Sequence, residues 1–296
     1  MLFPSTYCLA IATTGRRVNL IPNSSIDHFD SLCQAVAMAP PLGGLEADAY
    51  ARGHAEFESR SNQRGLIADW LVQRLTEVKS DSLAVLSVGC GDGDLDAVVA
   101  ERLVADPSRD RSVRYVGVEP FEGSANRFSQ RMQAIEGSEF SARVHVSPFE
   151  DAHLDDTFDV VTFVHSMYYV PDVLGAVEKA ARHVRDGGEV LVLSAPRGEL
   201  NRLAGLLAPP MEGHDQWFSD DVHKALVDGD LAFSMPATID AVVDLTDAED
   251  DVLDFTVQAR LTDSVRDLVR RYLADVSLIP GRSVVAHPVD VYALSS

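Results

Sequence analysis

Five short apolar runs alternate with stretches of helical spacing, and this alternation constrains the fold more than any other feature of the chain. The runs cover residues 84–88, 113–118, 142–146, 158–164 and 189–194. The fourth run is nearly all apolar, which is typical of a strand that is buried on both faces. Strands that alternate with helices predict an open α/β sheet that is parallel through this half of the chain.

The rest of the chain carries longer helical patterns and two further strand patterns. Helices are predicted at 45–78, 95–104, 122–135, 197–207, 220–227 and 250–273, and strands at 231–243 and 283–294. A further helix is predicted to begin after Asp172 and to end at Gly187–Gly188, because these residue types favour the two helix ends. Pro288 cannot donate a ladder hydrogen bond, so its half of the last strand is expected at an edge or a bulge.

The charge of the chain argues against two classes of partner. The formal net charge is −21, without any basic run, and such a surface repels nucleic-acid phosphates and anionic membranes. No window approaches the roughly 20 apolar residues of a membrane span. Cys8, Cys33 and Cys90 fit neither a disulfide framework nor a metal motif, which favours a reducing compartment. We therefore expect a soluble, cytoplasmic protein.

The strongest motif is a glycine-rich turn, Gly89–Cys90–Gly91–Asp92–Gly93, directly after the first predicted strand. Glycine allows a tight turn and lets the backbone approach a ligand at a helix N-terminus. Dinucleotide sites place a pyrophosphate at such a turn, and the aspartates at positions 92, 94 and 96 would repel it. The motif therefore favours a cationic ligand over a dinucleotide.

A carboxylate ends the second predicted strand, where Glu119 precedes Pro120. A carboxylate in this place can accept hydrogen bonds from both ribose hydroxyls of an adenosine. Nicotinamide enzymes share this device, so Glu119 alone does not choose between the two kinds of cofactor.

Taken in order, these motifs resemble the class I methyltransferases, which use S-adenosyl-L-methionine. The glycine turn, Glu119 and the strand-four motif Phe158–Val161 carry the resemblance over residues 83–195. Within the class, the segment His165–Asp172 is similar to the histamine N-methyltransferase family, and the similarity extends from Phe57 to the C-terminus. Ser219–Asp221 and Asp251–Phe255 also match that family.

The resemblance implies a Rossmann-like, seven-stranded methyltransferase sheet with helices on both faces and a C-terminal substrate or lid region. It also implies a division into an N-terminal extension or lid (1–44) and a methyltransferase domain (45–296). Within that domain the cofactor core is 83–195, and the substrate-binding elements are 45–80 and 197–296.

The family further implies which residues bind the cofactor. The glycine turn would lie against its methionine part, Glu119 would hold the ribose, and the end of strand three would flank the adenine. The implied cofactor-binding residues are Gly89, Cys90, Gly91, Glu119, Pro120, Ser147, Pro148, Phe149, Val164 and His165.

The implied substrate-binding residues are Phe57, Gln63, Tyr168, Tyr169 and His287. Gln63 replaces a glutamate that binds the substrate amine in the family, His165 replaces a glutamine, and His287 replaces an asparagine. Two tryptophans of the family's cage fall near positions 199 and 203, so histamine itself is not the expected acceptor.

The catalytic residues implied are His165, as a general base, and Tyr169, as an aromatic wall beside the acceptor. A structural histidine bonded to a neighbouring carbonyl is the alternative for His165. The nine histidines lack a metal-ligand spacing, so no metal site is expected.

The favoured activity is methyl transfer to an amine nitrogen of a small metabolite, with a cationic amine as one candidate substrate. O- or C-methyl transfer in secondary metabolism is the first alternative. A non-catalytic protein that binds S-adenosylmethionine is the second, and a nicotinamide oxidoreductase is the third.

Overall fold

A computed structural model describes residues 24–38, 40–106, 111–137, 139–209 and 216–295. Its helices are α1 (Ser24–Met38), α2 (Ala47–Ser59), α3 (Gln63–Glu77), α4 (Asp94–Val104), α5 (Glu122–Gln133), α6 (Val173–Arg182), α7 (Glu199–Leu207), α8 (Ser219–Asp228), α9 (Asp250–Val257) and α10 (Asp263–Asp275). Its strands are β1 (Ser82–Val88), β2 (Ser112–Glu119), β3 (Phe140–Val146), β4 (Phe158–Val164), β5 (Val184–Ser194), β6 (Ala237–Ile239), β7 (Val242–Asp244), β8 (Val284–Ala286) and β9 (Val289–Ser295).

Seven strands form one sheet in the order β3-β2-β1-β4-β5-β9-β6. Strands β1 to β5 run parallel, and β9 is antiparallel to both β5 and β6. This confirms the predicted seven-stranded α/β sheet, in which one strand, β9, is reversed. The strand order reverses between β1 and β4, and ligands of such sheets bind beyond the carboxyl ends of the strands at this point.

Both faces of the sheet are covered. Leu86 and Phe163 contribute to one apolar cluster, whereas Leu83 and Val85 contribute to a second cluster on the other side of β1. All four side chains are fully buried. The near-continuous apolar runs of β1 and β4 follow from this burial on both faces.

A third apolar cluster lies outside the main sheet. Helices α2, α7, α9 and α10 build it together with the two-stranded sheet of β7 and β8. Helix α1 packs on α10, and its Leu32 is completely buried. Residues 24–38 are therefore an integral helix of this cluster, whereas residues 1–23 of the predicted extension lie outside the described part of the chain.

Several predicted elements are shorter than expected. The predicted helix 45–78 is interrupted after Ser59, and 250–273 is interrupted at Gln258, which adopts a left-handed conformation with φ 57°. Gly187–Gly188 does not end α6, which stops at Arg182, but belongs to β5. A Cβ on Gly188 would lie 2.5 Å from the carbonyl oxygen of Asp159, so the close approach of two strands requires glycine there.

The two predicted tail strands are each divided between two sheets. The first yields β6 and β7, and the last is broken at His287–Pro288 into β8 and β9. Because Pro288 has no N–H to donate, the chain changes sheets at this residue. Among the described residues, no helix has the length and apolar character needed to cross a membrane.

Candidate active site

The glycine turn after β1 has a left-handed backbone at three positions, with φ of 66° at Gly89, 56° at Gly91 and 78° at Gly93. A Cβ on Gly89 would lie 2.4 Å from the Cβ of Ser166, and one on Gly93 would lie 2.7 Å from Phe128. A Cβ on Gly91 would meet nothing within 4 Å. Gly89 and Gly93 are thus packed against protein, while Gly91 exposes its backbone to open space that a ligand can fill.

Glu119 links this turn to the end of β2. Its side chain is buried, with 6% exposed. One carboxylate oxygen accepts a hydrogen bond from the Gly91 amide at 3.0 Å, and the other accepts one from the Phe121 amide at 3.0 Å. A carboxylate has about four acceptor sites, so two remain for the ribose hydroxyls of an adenosine. The turn and the carboxylate together fit the predicted cofactor.

The aspartates of the turn do not form the free negative patch expected from the sequence. Asp94 pairs with Arg131 at 2.5 Å and with Arg64 at 3.4 Å, and Asp92 lies 3.5 Å from Arg131. Asp96 is buried. Burial raises the pKa of its carboxyl to about 6, although hydrogen bonds to the carboxylate act in the opposite direction. Asp92 and Asp94 are therefore paired with arginines, which weakens the repulsion of a pyrophosphate expected from the sequence.

Two predicted cofactor residues face the protein interior. The Cys90 sulfur lies beneath the turn, 2.6 Å from the position of a Cβ on Gly117, and burial raises the pKa of its thiol. Phe149 is 5% exposed and packs edge-on against Phe163 with ring centroids 5.6 Å apart. The Phe149 side chain therefore belongs to the core, and the prediction that it flanks the adenine does not fit this packing.

Other predicted cofactor residues lie at the carboxyl edge of the sheet. Pro120 and Pro148 are exposed, and Ser147 and Val164 are half-buried at the ends of their strands. Sequence reasoning missed Phe121, which is 73% exposed, and Val146, which is 52% exposed. A large aromatic residue directly after Glu119–Pro120 was the available signal. These two apolar side chains follow the ends of β2 and β3, which are adjacent strands.

Three predicted substrate residues, Gln63, Tyr168 and His287, meet in one hydrogen-bonded network around His165. The His165 Nδ1 lies 2.8 Å from the Tyr168 hydroxyl, and its Nε2 lies 2.8 Å from the Gln63 Oε1. The Gln63 Nε2 donates to the backbone carbonyl of His287 at 2.6 Å. Phe57 packs edge-on against the His287 ring at 5.2 Å, so residues distant in sequence are joined at one place.

Both histidines of this network are neutral near pH 7. The pKa of His165 is lowered to about 3, mainly by burial and to a lesser degree by His287 and Arg64. Burial lowers the pKa of His287 to about 4. Both ring nitrogens of His165 are also engaged by protein groups. The lowered pKa and these two hydrogen bonds weigh against the predicted general-base role of His165 and favour an orienting role, which is part of the proposal below.

The backbone of His165 is itself constrained. Its φ of 50° is in the left-handed region, which is uncommon for a residue with a side chain. Its amide donates to the Leu193 carbonyl at 3.0 Å, which holds the end of β4 against β5. Ser166, the next residue, packs on Gly89. The strained residue thus connects the glycine turn to the substrate residues.

An aromatic wall continues from this network to the surface. Tyr169 is 64% exposed, and the Tyr50 hydroxyl is hydrogen-bonded to it. Phe255 contacts both Tyr50 and Phe57 with ring centroids 5.2 Å apart in each pair. His54 also packs on Phe255. Sequence reasoning missed Tyr50, His54 and Phe255; the helical spacing of positions 50, 54 and 57 was the available signal.

A cavity of about 420 Å³ lies elsewhere, at the opposite edge of the sheet. Its lining includes Arg74, Lys79, Asp186, Glu189 and Ser295. Arg74 and Glu189 form a two-pronged ion pair there, at 2.8 and 2.7 Å. This cavity is remote from the glycine turn. Within the described ranges, His, Cys, Asp and Glu side chains form no cluster suited to a metal ion.

Comparison with known proteins identifies the family of the chain. Residues 59–227 match the sequence profile of a family described as a methyltransferase domain. The chain is 27% identical over 158 residues to the ubiquinone biosynthesis O-methyltransferase of Leptothrix cholodnii. That match covers 52% of this chain and 60% of the relative, so the chain spans about three fifths of the curated protein it matches.

Two solved structures share the fold. The YcgJ protein of Bacillus subtilis is 14% identical with a TM-score of 0.52, covering 77% of this chain and 97% of that one. Geranyl diphosphate C-methyltransferase of Streptomyces coelicolor A3(2), solved with Mg²⁺, geranyl diphosphate and S-adenosyl-L-homocysteine, is 14% identical with a TM-score of 0.50. It covers 90% of this chain and 98% of its own.

The finer resemblance to the histamine N-methyltransferases stays a prediction. The coarser assignment depends on the family profile, which covers more than half of the chain, and on the glycine turn and Glu119 that the profile includes. This chain belongs to the methyltransferase-domain family, among the class I methyltransferases that use S-adenosylmethionine.

Proposed function

We propose that this protein transfers the methyl group of S-adenosylmethionine to a hydroxyl oxygen of a small, uncharged aromatic molecule. The observation that carries the proposal is the absence of charge on the side chains that form the inner wall of the candidate substrate site. Gln63, His165 and His287 are all uncharged near neutral pH, and Phe57 packs beside them. Such a wall suits a neutral aromatic ring and offers no carboxylate to a cationic amine.

The cofactor residues of the proposal are those at the carboxyl edge of the sheet. Gly89 and Gly91 would lie along its methionine part, and Glu119 would hold the ribose hydroxyls. Phe121 and Pro148, both exposed, would cover the adenine. When bound, the cofactor supplies a methyl group on a sulfonium that is already activated for displacement.

The chain's own contribution is orientation. Phe57 and Tyr169 would hold the acceptor ring, and the network around His165 would fix its depth. Holding two reactants in line can contribute about 7–11 kcal/mol to lowering a barrier in favourable cases. No protein nucleophile is required for a direct displacement of this kind.

One further fact supports oxygen as the acceptor atom. The curated relative at 27% identity is named an O-methyltransferase. The net charge of −21 also disfavours anionic substrates, which agrees with an acceptor that arrives as a neutral molecule. The proposal also includes a cytoplasmic location. It keeps the division into an N-terminal extension (1–44) and a methyltransferase domain (45–296) whose cofactor core is 83–195.

An amine nitrogen is the second candidate acceptor. It is favoured because four positions that were inferred from the resemblance to an amine-methylating family lie together in the structure. These are Phe57, Gln63, His165 and His287. The amide at position 63 weighs against it, because an amide is a poorer partner for a cation than a carboxylate is.

The proposal is tested by incubating the purified chain with isotope-labelled S-adenosylmethionine and three matched sets of compounds. These are phenols, aromatic carboxylic acids and primary aromatic amines of similar size. Mass spectrometry identifies the compound that gains one methylene, and NMR of the product identifies the atom that received it. Methylated phenols support the proposal, methylated amines alone support the second candidate, and methylation at carbon contradicts both.

A further inference from the structure

One backbone carbonyl orients the whole network around His165. The carbonyl of His287 can only accept a hydrogen bond, and the Gln63 side chain lies 2.6 Å from it. The Gln63 amide nitrogen must therefore face this carbonyl, since an oxygen there would have no proton to share. The Gln63 Oε1 is then the atom that faces the His165 Nε2 at 2.8 Å.

The direction of the remaining bonds follows from this orientation. The Gln63 Oε1 can only accept, so the His165 Nε2 must carry a hydrogen. A neutral imidazole has one N–H, so its Nδ1 is an acceptor, and the Tyr168 hydroxyl donates to it at 2.8 Å. The Tyr168 oxygen in turn accepts from the Ala195 amide at 3.0 Å. The relay runs Ala195, Tyr168, His165, Gln63, His287.

We infer that this relay locks His165 as a neutral Nε2–H positioning residue, so that an aromatic hydroxyl acceptor loses its proton to water without help from this side chain. The inference rests on the proposed function and names its substrate class, a phenol that ionises in the accessible pH range. Neither ring nitrogen of His165 is left to accept the proton of the acceptor.

The groups that act on the His165 ring are Arg64, His287 and Tyr168, and none of them is a free base. Arg64 on α3 is the cation that faces His165, and it pairs with Glu58 of α2 at 3.0 Å and with Asp94 of α4 at 3.4 Å. His287, which precedes β9, is neutral because burial lowers its pKa to about 4. Burial raises the pKa of Tyr168 to about 12, so this hydroxyl keeps its proton near pH 7.

The chemical balance of the step is simple. The O–H bond of the acceptor breaks first, and the proton goes to solvent water. The S–CH₃ bond then breaks as the O–CH₃ bond forms, which yields an aryl methyl ether and S-adenosylhomocysteine. No oxidant, reductant or metal ion is required.

The relay is tested by long-range ¹H–¹⁵N NMR of the histidine rings in the full chain, with His165 assigned by comparison with His165→Asn. The expected result is the Nε2–H tautomer, with ring shifts that do not change between pH 5.5 and 8.5. His153→Asn, at an exposed site, is the matched assignment control. An Nδ1–H tautomer, or a His165 ring that titrates near pH 6–7, would overturn the relay.

The substrate class is tested with ring-substituted phenols whose hydroxyl acidities differ. Without a protein base, the inflection of kcat/KM with pH should move with the acidity of each phenol. An inflection fixed at one pH for all phenols would show a protein base and overturn the inference. If no phenol is methylated, the proposed function and the acceptor class fail together, while the NMR experiment still decides the relay.

The positioning role is tested with Gln63→Met, which keeps the side-chain length and removes both relay bonds. The expected effect is an increase of about tenfold in KM for the phenol with little change in kcat, together with a mixed His165 tautomer. Gln73→Met is the matched control on the exposed face of the same helix. An unchanged KM and an unchanged tautomer in Gln63→Met would contradict the role.

Discussion

The Glu119 carboxylate and the Gly91 amide nitrogen lie 3.0 Å apart, so the end of β2 is hydrogen-bonded directly to the turn that follows β1. The second carboxylate oxygen is bonded to the Phe121 amide. One buried side chain therefore ties the glycine turn to the segment after β2, and it keeps acceptor sites that the proposed ribose contact would use.

Glu119→Gln should weaken cofactor binding by about ten- to a hundredfold. An amide has only one oxygen, so either the Gly91 or the Phe121 amide would face an NH₂ group, at a cost of about 1–3 kcal/mol. Calorimetric titration with S-adenosylhomocysteine measures the loss. Glu122→Gln, three residues away and exposed, should bind as the wild type does.

Gly89→Ala and Gly91→Ala should separate folding from binding. The Ala at 89 would clash with Ser166 and adopt a positive φ, so a loss of about 2–5 kcal/mol in the free energy of unfolding is expected. The Ala at 91 has open space, so its cost should be about 1–2 kcal/mol from φ alone.

Cofactor binding, in contrast, should depend mainly on position 91. A methyl group at position 91 would fill part of the open space beside the glycine turn, where the cofactor is proposed to bind. Gly91→Ala should therefore bind S-adenosylhomocysteine at least about tenfold more weakly while remaining folded. Urea unfolding and ligand titration on both variants check this. Normal affinity in a folded Gly91→Ala would show that the open space is not the cofactor site.

The cofactor half of the fold was predictable from sequence because its signals are local. Strands β1, β2 and β4 are short, mostly apolar runs, and Phe158–Val164 matches its predicted bounds. The substrate half was predicted less well, since tertiary contacts decide its breaks. Nothing in the periodicity at 250–273 marks the left-handed Gln258, and α1 was missed because its apolar spacing is irregular.

The family resemblance grouped residues that do lie together in the structure, and their roles in binding and catalysis stay predictions. Gln63, His165 and His287 do meet, as the family resemblance implied. Their protonation could not be predicted, because it depends on burial and on which atoms face each other. The same limit applies to Asp94, whose charge is paired with Arg131 from a different helix.

Stability should fall as pH drops below about 6.5, partly through His165. Its folded pKa of about 3 is below the unfolded value, so the unfolded chain binds the proton first and is favoured as pH falls. The difference in unfolding free energy between wild type and His165→Asn should shrink by about 1.4 kcal/mol per pH unit between pH 6.5 and 4.

Other groups contribute to the absolute pH curve, so the difference between variants is the informative quantity. His287 acts in the same direction, with a folded pKa of about 4. Asp96 opposes them, since its pKa is raised to about 6 and the folded state binds its proton first. A wild-type and His165→Asn difference that does not vary with pH would contradict the neutral state of His165.

Gln63→Glu should convert the neutral network into a charged one. A carboxylate cannot donate to the His287 carbonyl, 2.6 Å away in the native protein, so two oxygens would face each other without a proton. The new carboxylate also lies beside the His165 ring and stabilises an imidazolium, so the pKa of His165 should rise towards neutrality, although the contact with the His287 carbonyl stays unfavourable. Ring NMR should therefore show His165 titrating in the variant, and kcat/KM for a neutral phenol should fall by about tenfold or more. Gln73→Glu adds the same charge on the exposed face of α3 and should change neither quantity. If Gln63→Glu left the His165 ring neutral and the phenol activity intact, position 63 would not control the charge of this pocket.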